Sequence, residues 1–228
     1  MDLERDIDAY EAIRASIVDD TLRAGHRLIE ADLALALNTS RSYVRQALAR
    51  LEFEGLVDKA PGHSATVRRV PKAEILEIIE ARIALEAIVV RAAAARRTDA
   101  QARQLLDAAR TLEAKFEKSD ISGVLEAQAA FHHMVLEAGR KPAIQRVVHN
   151  LAALTVQTRM RSMLLPGRIP ASVKEHAAIA AAVVAQDADA AERAMVAHLR
   201  SVAHAVSKLP DSVHPVSLTP RKKQEVTP

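Results

Sequence analysis

The segment NTSRSYVRQALARLEFEGLV, residues 38–57, constrains the fold most, because the two ends and the buried face of a helix can be identified in it. Ser40 is a good N-cap for a helix that runs to about Glu54, and Gly55 stands where helix C-termini favour glycine. Apolar residues recur on one face of this helix: Val44, Ala47, Leu48 and Leu51. We therefore expect a short amphipathic helix that packs against its neighbours.

Two more helices and a β-hairpin are predicted around this helix. Apolar spacing predicts a helix over about residues 8–20 and a second, short helix over residues 30–37. After Gly55, β-like runs at residues 56–59 and 65–68 flank a Pro-Gly turn. Three short helices followed by a small hairpin predict an N-terminal winged helix-turn-helix domain, residues 1–70.

The rest of the chain is predicted to be helical after the boundary at Val70-Pro71. Proline at first-turn positions, the pair Thr98 and Gln101 as a capping box, and N-capping residues mark the starts of the helices. The predicted helices span about residues 71–97, 98–118, 119–139, 142–165, 170–186 and 187–207. The fold class is thus mostly α, with an antiparallel six-helix bundle over residues 71–208. The polar, Pro-rich residues 209–228 are predicted to be a disordered tail.

Composition excludes several classes of protein. The chain has no cysteine, which excludes disulfides and thiolate chemistry and is consistent with a reducing cytoplasm. The acidic start MDLERDIDAY does not resemble a signal peptide, and no apolar run reaches the roughly 18 residues of a membrane span. We expect a cytoplasmic protein without a membrane partner.

The charge distribution points to nucleic acid. Residues 1–37 carry four Arg against nine acids, a net charge of −5, whereas residues 38–70 carry six basic residues against three acids, a net charge of +3. The third helix therefore has the exposed donors of a DNA recognition helix, and the hairpin would be its wing. The candidate DNA-binding residues are Ser40, Arg41, Ser42, Arg45 and Gln46 on the helix and Gly62 and His63 at the wing tip. The expected partner is a pseudo-palindromic double-stranded operator, bound by a homodimer.

The segment GHRLIEADLALALNTSRSYVRQALARLEFEGLV resembles the DNA-binding domain of the GntR family of bacterial transcription regulators. The chain matches that family's pattern at many positions: Gly25, Leu28, Glu30, Leu33-Ala34, Ser40-Arg41, Val44-Arg45, Ala47-Leu48, Leu51-Glu52 and Glu54-Gly55-Leu56. It departs from the pattern at Ala24, Asn38, Thr39, Tyr43 and Gln46, and no departure removes an arginine. The resemblance implies a transcription regulator and not an enzyme.

The helical half also resembles this family. The stretch FHHMVLEAGRKPAI is similar to the Phe-His motif of the FadR-type branch, with Lys141 where Asn is usual. In that branch an all-helical effector (FCD) domain follows the wing and binds a small ligand, often an organic acid. Six helices in place of seven resemble the VanR-like subset. The resemblance therefore implies a regulator whose effector is a small molecule, with a carboxylate expected.

The same resemblance implies a metal site in the bundle. Many relatives hold a divalent metal with three His and with an Asp or Asn four residues before the first of them. The corresponding residues are His132, His176 and His198, with Gln128 in the place of the Asp or Asn, so we expect a weakened site. Imidazole ligands favour Zn or Ni. Without the resemblance, scattered His on an Ala-rich bundle are more often core residues that bind no metal.

Two arginines are candidate effector contacts, because an arginine inside an apolar bundle requires an anion. These are Arg82 and Arg159, although Arg82 could simply pair with Glu86 one turn later. Two other functions stay open at this point. The metal itself could be the effector, or the histidines could serve a metal-dependent hydrolase, which would require a carboxylate base beside the ion.

Overall fold

The computed structural model of the chain describes residues 2–60 and 62–210, so nearly all of the predicted tail, residues 209–228, lies outside the described residues. The N-terminal elements are α1 (Asp2–Val18), β1 (Arg27–Leu28), α2 (Glu30–Ala36), α3 (Arg41–Phe53), β2 (Val57–Asp58) and β3 (Ala65–Val67). The C-terminal elements are α4 (Lys72–Arg96), α5 (Asp99–Glu117), α6 (Ile121–Gly139), α7 (Pro142–Leu154), α8 (Val156–Met163), α9 (Arg168–Val184) and α10 (Ala188–Ser207). The fold is mostly helical, as predicted.

The winged helix is confirmed, and its sheet has one strand more than the predicted hairpin. The three antiparallel strands have the order β1-β3-β2, with Arg27 paired to Thr66 and Val57 paired to Val67. Strand β1 has only two residues, too few for alternating polarity to be recognised in the sequence. It stabilises the wing by giving β3 a partner on each side.

Helix α3 is held by the features that predicted it. The hydroxyl oxygen of Ser40 accepts a hydrogen bond from the Tyr43 amide at 3.3 Å, and Gly55 ends the helix with a φ of 76°. A side chain at Gly55 would be strained in this left-handed conformation. The predicted apolar face is completely buried and packs on α1: Val44, Ala47, Leu48 and Leu51. Burial of a Leu or Val side chain stabilises a fold by about 1.5–3 kcal/mol, so this face anchors α3.

The bundle buries a continuous core and keeps its predicted caps. Helix α4 packs along α10, and α5 packs against α6 and α9. The core between them contains Phe131 of α6, which is fully buried, with Ile179 and Leu199. Thr98 and Gln101 form the predicted capping box, and the carboxylates of Asp120 and Asp187 cap α6 and α10.

The predicted single helix over residues 142–165 is wrong, because the helix is interrupted at Thr155. The hydroxyl of Thr155 donates to the Ala152 carbonyl at 3.0 Å, and α8 continues from Val156. Just before the break, the buried Ala153 packs into the core of the winged helix, and Leu154 packs against the same core. The end of α7 thus belongs to the interface between the two domains, whereas α8 turns back to line the bundle.

No helix in the described part of the chain has the length and apolar character needed to cross a membrane.

Candidate functional site

The residues predicted to contact DNA are exposed on helix α3 and at the wing tip. Arg41, Ser42, Arg45 and Gln46 are all exposed along the outer face of α3, opposite its buried residues. The wing tip, Gly62 and His63, is also exposed, and Gly62 has a φ of 75° in the turn between β2 and β3. Ser40 contributes mainly as the cap of α3. Exposed guanidinium and amide groups on one helix face can donate to base edges and phosphates.

An acidic residue on α2, which the sequence did not single out, contacts this surface. The Arg45 guanidinium forms a two-pronged ion pair with Glu30, with Nη2 2.8 Å from Oε2. Lys59, next to the wing, lies 3.5 Å from the other oxygen of Glu30. One carboxylate therefore holds the cations of the helix and of the wing together in the absence of DNA.

The three predicted histidines converge inside the bundle. His132 of α6, His176 of α9 and His198 of α10 each place one ring nitrogen within 4.8 Å of the others. The centres of their rings are 4.6–5.2 Å apart. Residues from three helices are brought to one point only because these helices pack on the same core, so spacing in the sequence could not establish the cluster.

Each histidine of this triad has a neighbouring oxygen at Nδ1. His176 Nδ1 lies 2.7 Å from the Ser172 carbonyl, and His198 Nδ1 lies 2.8 Å from Glu175 Oε2. An N–H at Nδ1 donates in both cases, which leaves Nε2 with its lone pair free. The Nε2 of His176 is buried and has no hydrogen-bond partner. Metal-binding histidines are usually oriented in this manner by a carboxylate or carbonyl behind the ring.

His132 is the least constrained of the three. Its Nδ1 lies 3.3 Å from Glu86 Oε2 but is not aligned for a hydrogen bond. Glu86 is buried, and its Oε1 accepts a hydrogen bond from Arg82 Nε at 2.8 Å. Burial alone would raise the pKa of Glu86, but the charge of Arg82 and the adjacent His132 outweigh it and lower this pKa to about 2. Glu86 is therefore an ionised carboxylate at neutral pH.

The electrostatics of His176 and His198 favour neutral imidazoles. Burial lowers the pKa of His198 from 6.5 to about 4, although the hydrogen bond to Glu175 opposes this shift. Burial also lowers the pKa of His176 well below 6.5, and the other two histidines add to that effect. Because a metal ion requires the neutral form of imidazole, these residues could hold a metal ion at neutral pH without first losing protons.

Gln128 lies beside the triad, one turn before His132. Its side chain is buried, and its Nε2 donates to the Ser172 hydroxyl at 2.8 Å. That hydroxyl is in turn 3.3 Å from His176 Nδ1. The amide is thus tied to the residue that supports His176, and it brings no negative charge to the cluster.

The triad lies in the wall of a cavity of about 340 Å³. Both predicted effector arginines line this cavity. Arg82 is paired with Glu86, as its sequence spacing allowed. Arg159 is different, because no carboxylate in residues 2–60 or 62–210 forms an ion pair with it. Burial, and then the charge of Arg82, lower the pKa of Arg159, so its guanidinium is held in an electrostatically unfavourable place that an anion would relieve.

Sequence reasoning missed two arginines of the cavity, Arg14 and Arg168. Arg168 is buried, and its Nη1 lies 3.0 Å from Glu175 Oε2, the oxygen that also accepts from His198. Its Nε has no hydrogen-bond partner. Residues 168 and 175 are two turns apart on one helical face, and this relation becomes visible only when α9 is known to begin at Arg168 and not at the predicted Pro170.

Two further histidines also line the cavity. His133 and His149 stack on each other with ring centres 5.6 Å apart. They lie on α6 and α7, so the cavity extends from the triad to the helix that contacts the winged helix domain.

Comparison with known families matches both halves of the chain. The family model of the bacterial regulatory proteins of the gntR family matches residues 7–67, which contain the winged helix. The FCD domain model matches residues 77–201, which contain the triad and both predicted effector arginines.

Curated relatives and solved structures agree with these models. The HTH-type transcriptional repressor RspR of Escherichia coli K12 is 26% identical over 200 residues, which cover 88% of each chain. The putative L-lactate dehydrogenase operon regulatory protein of the same strain is 31% identical over 218 residues, covering 84% of this chain and 82% of the relative. The structure of E. coli McbR/YncC shares the fold, with a TM-score of 0.79 at 20% identity over 89% of this chain and 97% of that one. The chain therefore belongs to the GntR family of DNA-binding transcription regulators, in the branch with a C-terminal FCD domain.

Proposed function

We propose that the protein is a ligand-responsive regulator that binds DNA as a homodimer. In this proposal the FCD domain binds a small organic acid at a metal ion. The observation that carries the proposal is the combination, in one cavity, of three converging imidazoles with an arginine that has no carboxylate partner in the described chain.

The metal part of the proposal rests on the donor set. His132, His176 and His198 would hold the ion, and three neutral imidazoles suit Zn or Ni. The unpartnered, buried Nε2 of His176 supports this role, because a buried polar atom is costly without a partner. When bound, the ion would act as a Lewis acid toward an oxygen of the effector. Gln128, being neutral, would leave the site weaker than an aspartate would.

The carboxylate part of the proposal rests on Arg159. A guanidinium offers paired donors that match a carboxylate, and inside a cavity such a contact is strengthened by exclusion of water. Arg82 is a weaker candidate, since Glu86 already occupies its Nε. The similarity to the putative L-lactate dehydrogenase operon regulatory protein is consistent with an organic acid, because lactate is one.

The DNA part of the proposal assigns base and phosphate contacts to the exposed residues of α3 and to the wing tip. A single winged helix makes few contacts, so we expect two copies on a two-fold operator. Two exposed apolar side chains on the contacting helices α4 and α7, Ile88 and Val147, are candidate dimer contacts. Light scattering at micromolar concentration should give twice the mass of the chain.

The test starts from an operator selected out of random DNA. Operator binding is then followed by fluorescence anisotropy with the chelated protein, with Zn alone, and with Zn plus a panel of organic acids. We expect one class of acid to change the affinity for the operator only in the presence of Zn. The Arg159→Gln variant should lose this response, and Arg146→Gln, a variant of an exposed arginine on α7, should keep it.

Three results would count against the proposal. A full response to Zn alone would make the metal the effector. A response to acids that persists in Arg159→Gln would place the carboxylate elsewhere. Failure to select any operator would contradict the assignment of α3 as the reading helix.

A further inference from the structure

The cavity extends well beyond the triad, toward the DNA-binding domain. On α10, His198 is followed one and two turns later by Val202 and Val206, and all three line the cavity. Eight residues of helix span about 12 Å. On α4, Ile79 and Ile75 line the cavity on the N-terminal side of Arg82. Two apolar rows therefore lead away from the triad.

Both rows lead in the same direction because α4 and α10 are antiparallel. Lys72, at the start of α4, donates to the Leu209 carbonyl just after α10. At the opposite end, Arg91 of α4 pairs with Asp189 in the first turn of α10. The start of α4 follows the wing directly, so the apolar end of the cavity is the end that lies near the winged helix.

The far wall of the cavity is contributed in part by the DNA-binding domain itself. Val18 and Arg14 of α1 line the cavity together with Ala152 and Ala153 of α7. Arg14 lies 3.6 Å from Glu54, at the end of the recognition helix. A molecule that filled the whole cavity would touch the triad at one end and the winged helix domain at the other.

We propose that the effector is an amphipathic carboxylate, with an apolar body of medium-chain or aryl-alkyl type. This inference rests on the proposed function, because the carboxylate is taken to lie at Arg159 and the triad. The apolar body then runs between the rows on α4 and α10 and ends against Val18 and Ala152. A three-carbon acid would leave these apolar walls facing water, whereas an apolar body would remove them from it.

The dimensions of the cavity support this class of ligand. Its volume of about 340 Å³ lies within the range of about 300–1,000 Å³ that holds drug-sized molecules. Polar side chains surround the triad, and Arg14 of α1 and His149 of α7 also line the cavity, whereas the rows on α4 and α10 consist of Ile and Val. A charged group near the triad and apolar rows that lead away from it are the complement of a fatty or arylalkanoic acid.

The test is isothermal calorimetry of the full chain with Zn and a series of straight-chain acids: acetate, butanoate, hexanoate and octanoate. We expect affinity to rise roughly fourfold for each added methylene that enters the cavity. Octan-1-ol, which lacks the carboxylate, should bind much more weakly than octanoate. Arg159→Gln should weaken all of the acids together.

A filled-cavity variant separates the apolar end from the charged end. Ala152→Leu places a larger side chain in the apolar end and should weaken octanoate at least tenfold while leaving butanoate unchanged. Ala143→Leu, at an exposed position on the same helix that does not line the cavity, is the matched control and should change neither.

The possible failures are distinguishable. If butanoate and octanoate bind equally and Arg159→Gln weakens both, the apolar extension is wrong and the proposed carboxylate site stands. If octanoate binds and Arg159→Gln has no effect, the acid lies elsewhere and both proposals fail. Binding of no acid in the series also overturns the amphipathic effector.

Discussion

Replacement of His198 by glutamine should remove a pH-dependent loss of stability. The pKa of His198 is about 4 in the folded chain and 6.5 when the residue is unperturbed. Above about pH 6.5 the ring is neutral in both states and contributes no difference. Between pH 6.5 and about 4 the unfolded chain takes up a proton that the folded chain does not, so the free energy of unfolding falls as the pH falls.

The size of this loss follows from the shift. Each pH unit within the window lowers the free energy of unfolding by about 1.4 kcal/mol. When the pH is lowered from about 7.5 to about 4.5, the free energy of unfolding should therefore fall by roughly 2–3 kcal/mol more in the wild type than in His198→Gln. His176 acts in the same direction in both proteins, and because His198 helps to lower the pKa of His176, the difference measures His198 together with its effect on His176.

Urea unfolding at the two pH values, with a chelator present, measures this difference. His204→Gln, a variant of an exposed histidine on the same helix, should behave like wild type. Equal losses of stability in wild type and His198→Gln would show that the buried ring is not held neutral by the bundle, and the account of the triad as a set of ready metal ligands would be refuted.

Three other predictions concern separate parts of the chain. Arg45→Ala should weaken operator binding by roughly 5- to 150-fold if this arginine reads a base. An anisotropy titration that gave unchanged affinity and an unchanged salt dependence would show that Arg45 does not read a base. Gln128→Asp should raise the affinity for Zn in competition with a coloured chelator, because an anionic oxygen is added; no gain would place residue 128 outside the metal's ligands. Phe131→Ala should lower the free energy of unfolding by about 3–5 kcal/mol in chelated protein, since Phe131 is fully buried against His176; a loss below 1 kcal/mol would contradict the tight packing around the triad.

Features set by short-range chemistry could be predicted from the sequence. Ser40, Thr98, Asp120 and Asp187 cap helices because each side chain bonds an amide only three residues away. The exposed face of α3 could also be predicted, because the exposed and buried positions of this helix follow from its helical period. Strand β1 could not be predicted, since its stability comes from pairing with residues almost forty positions later.

The candidate site depended on information that one sequence holds only indirectly. The three histidines were selected through a family resemblance, and their convergence required the packing of three helices. The interruption at Thr155 carries no proline or glycine; it occurs where Ala153 packs into the winged helix core, which is a tertiary constraint. Arg168 and Glu175 could be linked to the site only through the structure, in which Glu175 contacts both Arg168 and His198.

We expect DNA to compete with Glu30 for Arg45 and Lys59. In the free protein its carboxylate already neutralises Arg45 and reaches Lys59, so a phosphate that approaches either cation must compete with a tethered anion. A guanine edge and a phosphate can each accept two hydrogen bonds from Arg45, so either contact forms only after Glu30 has been displaced. We therefore expect Glu30 to weaken the contacts of Arg45 with DNA of any sequence.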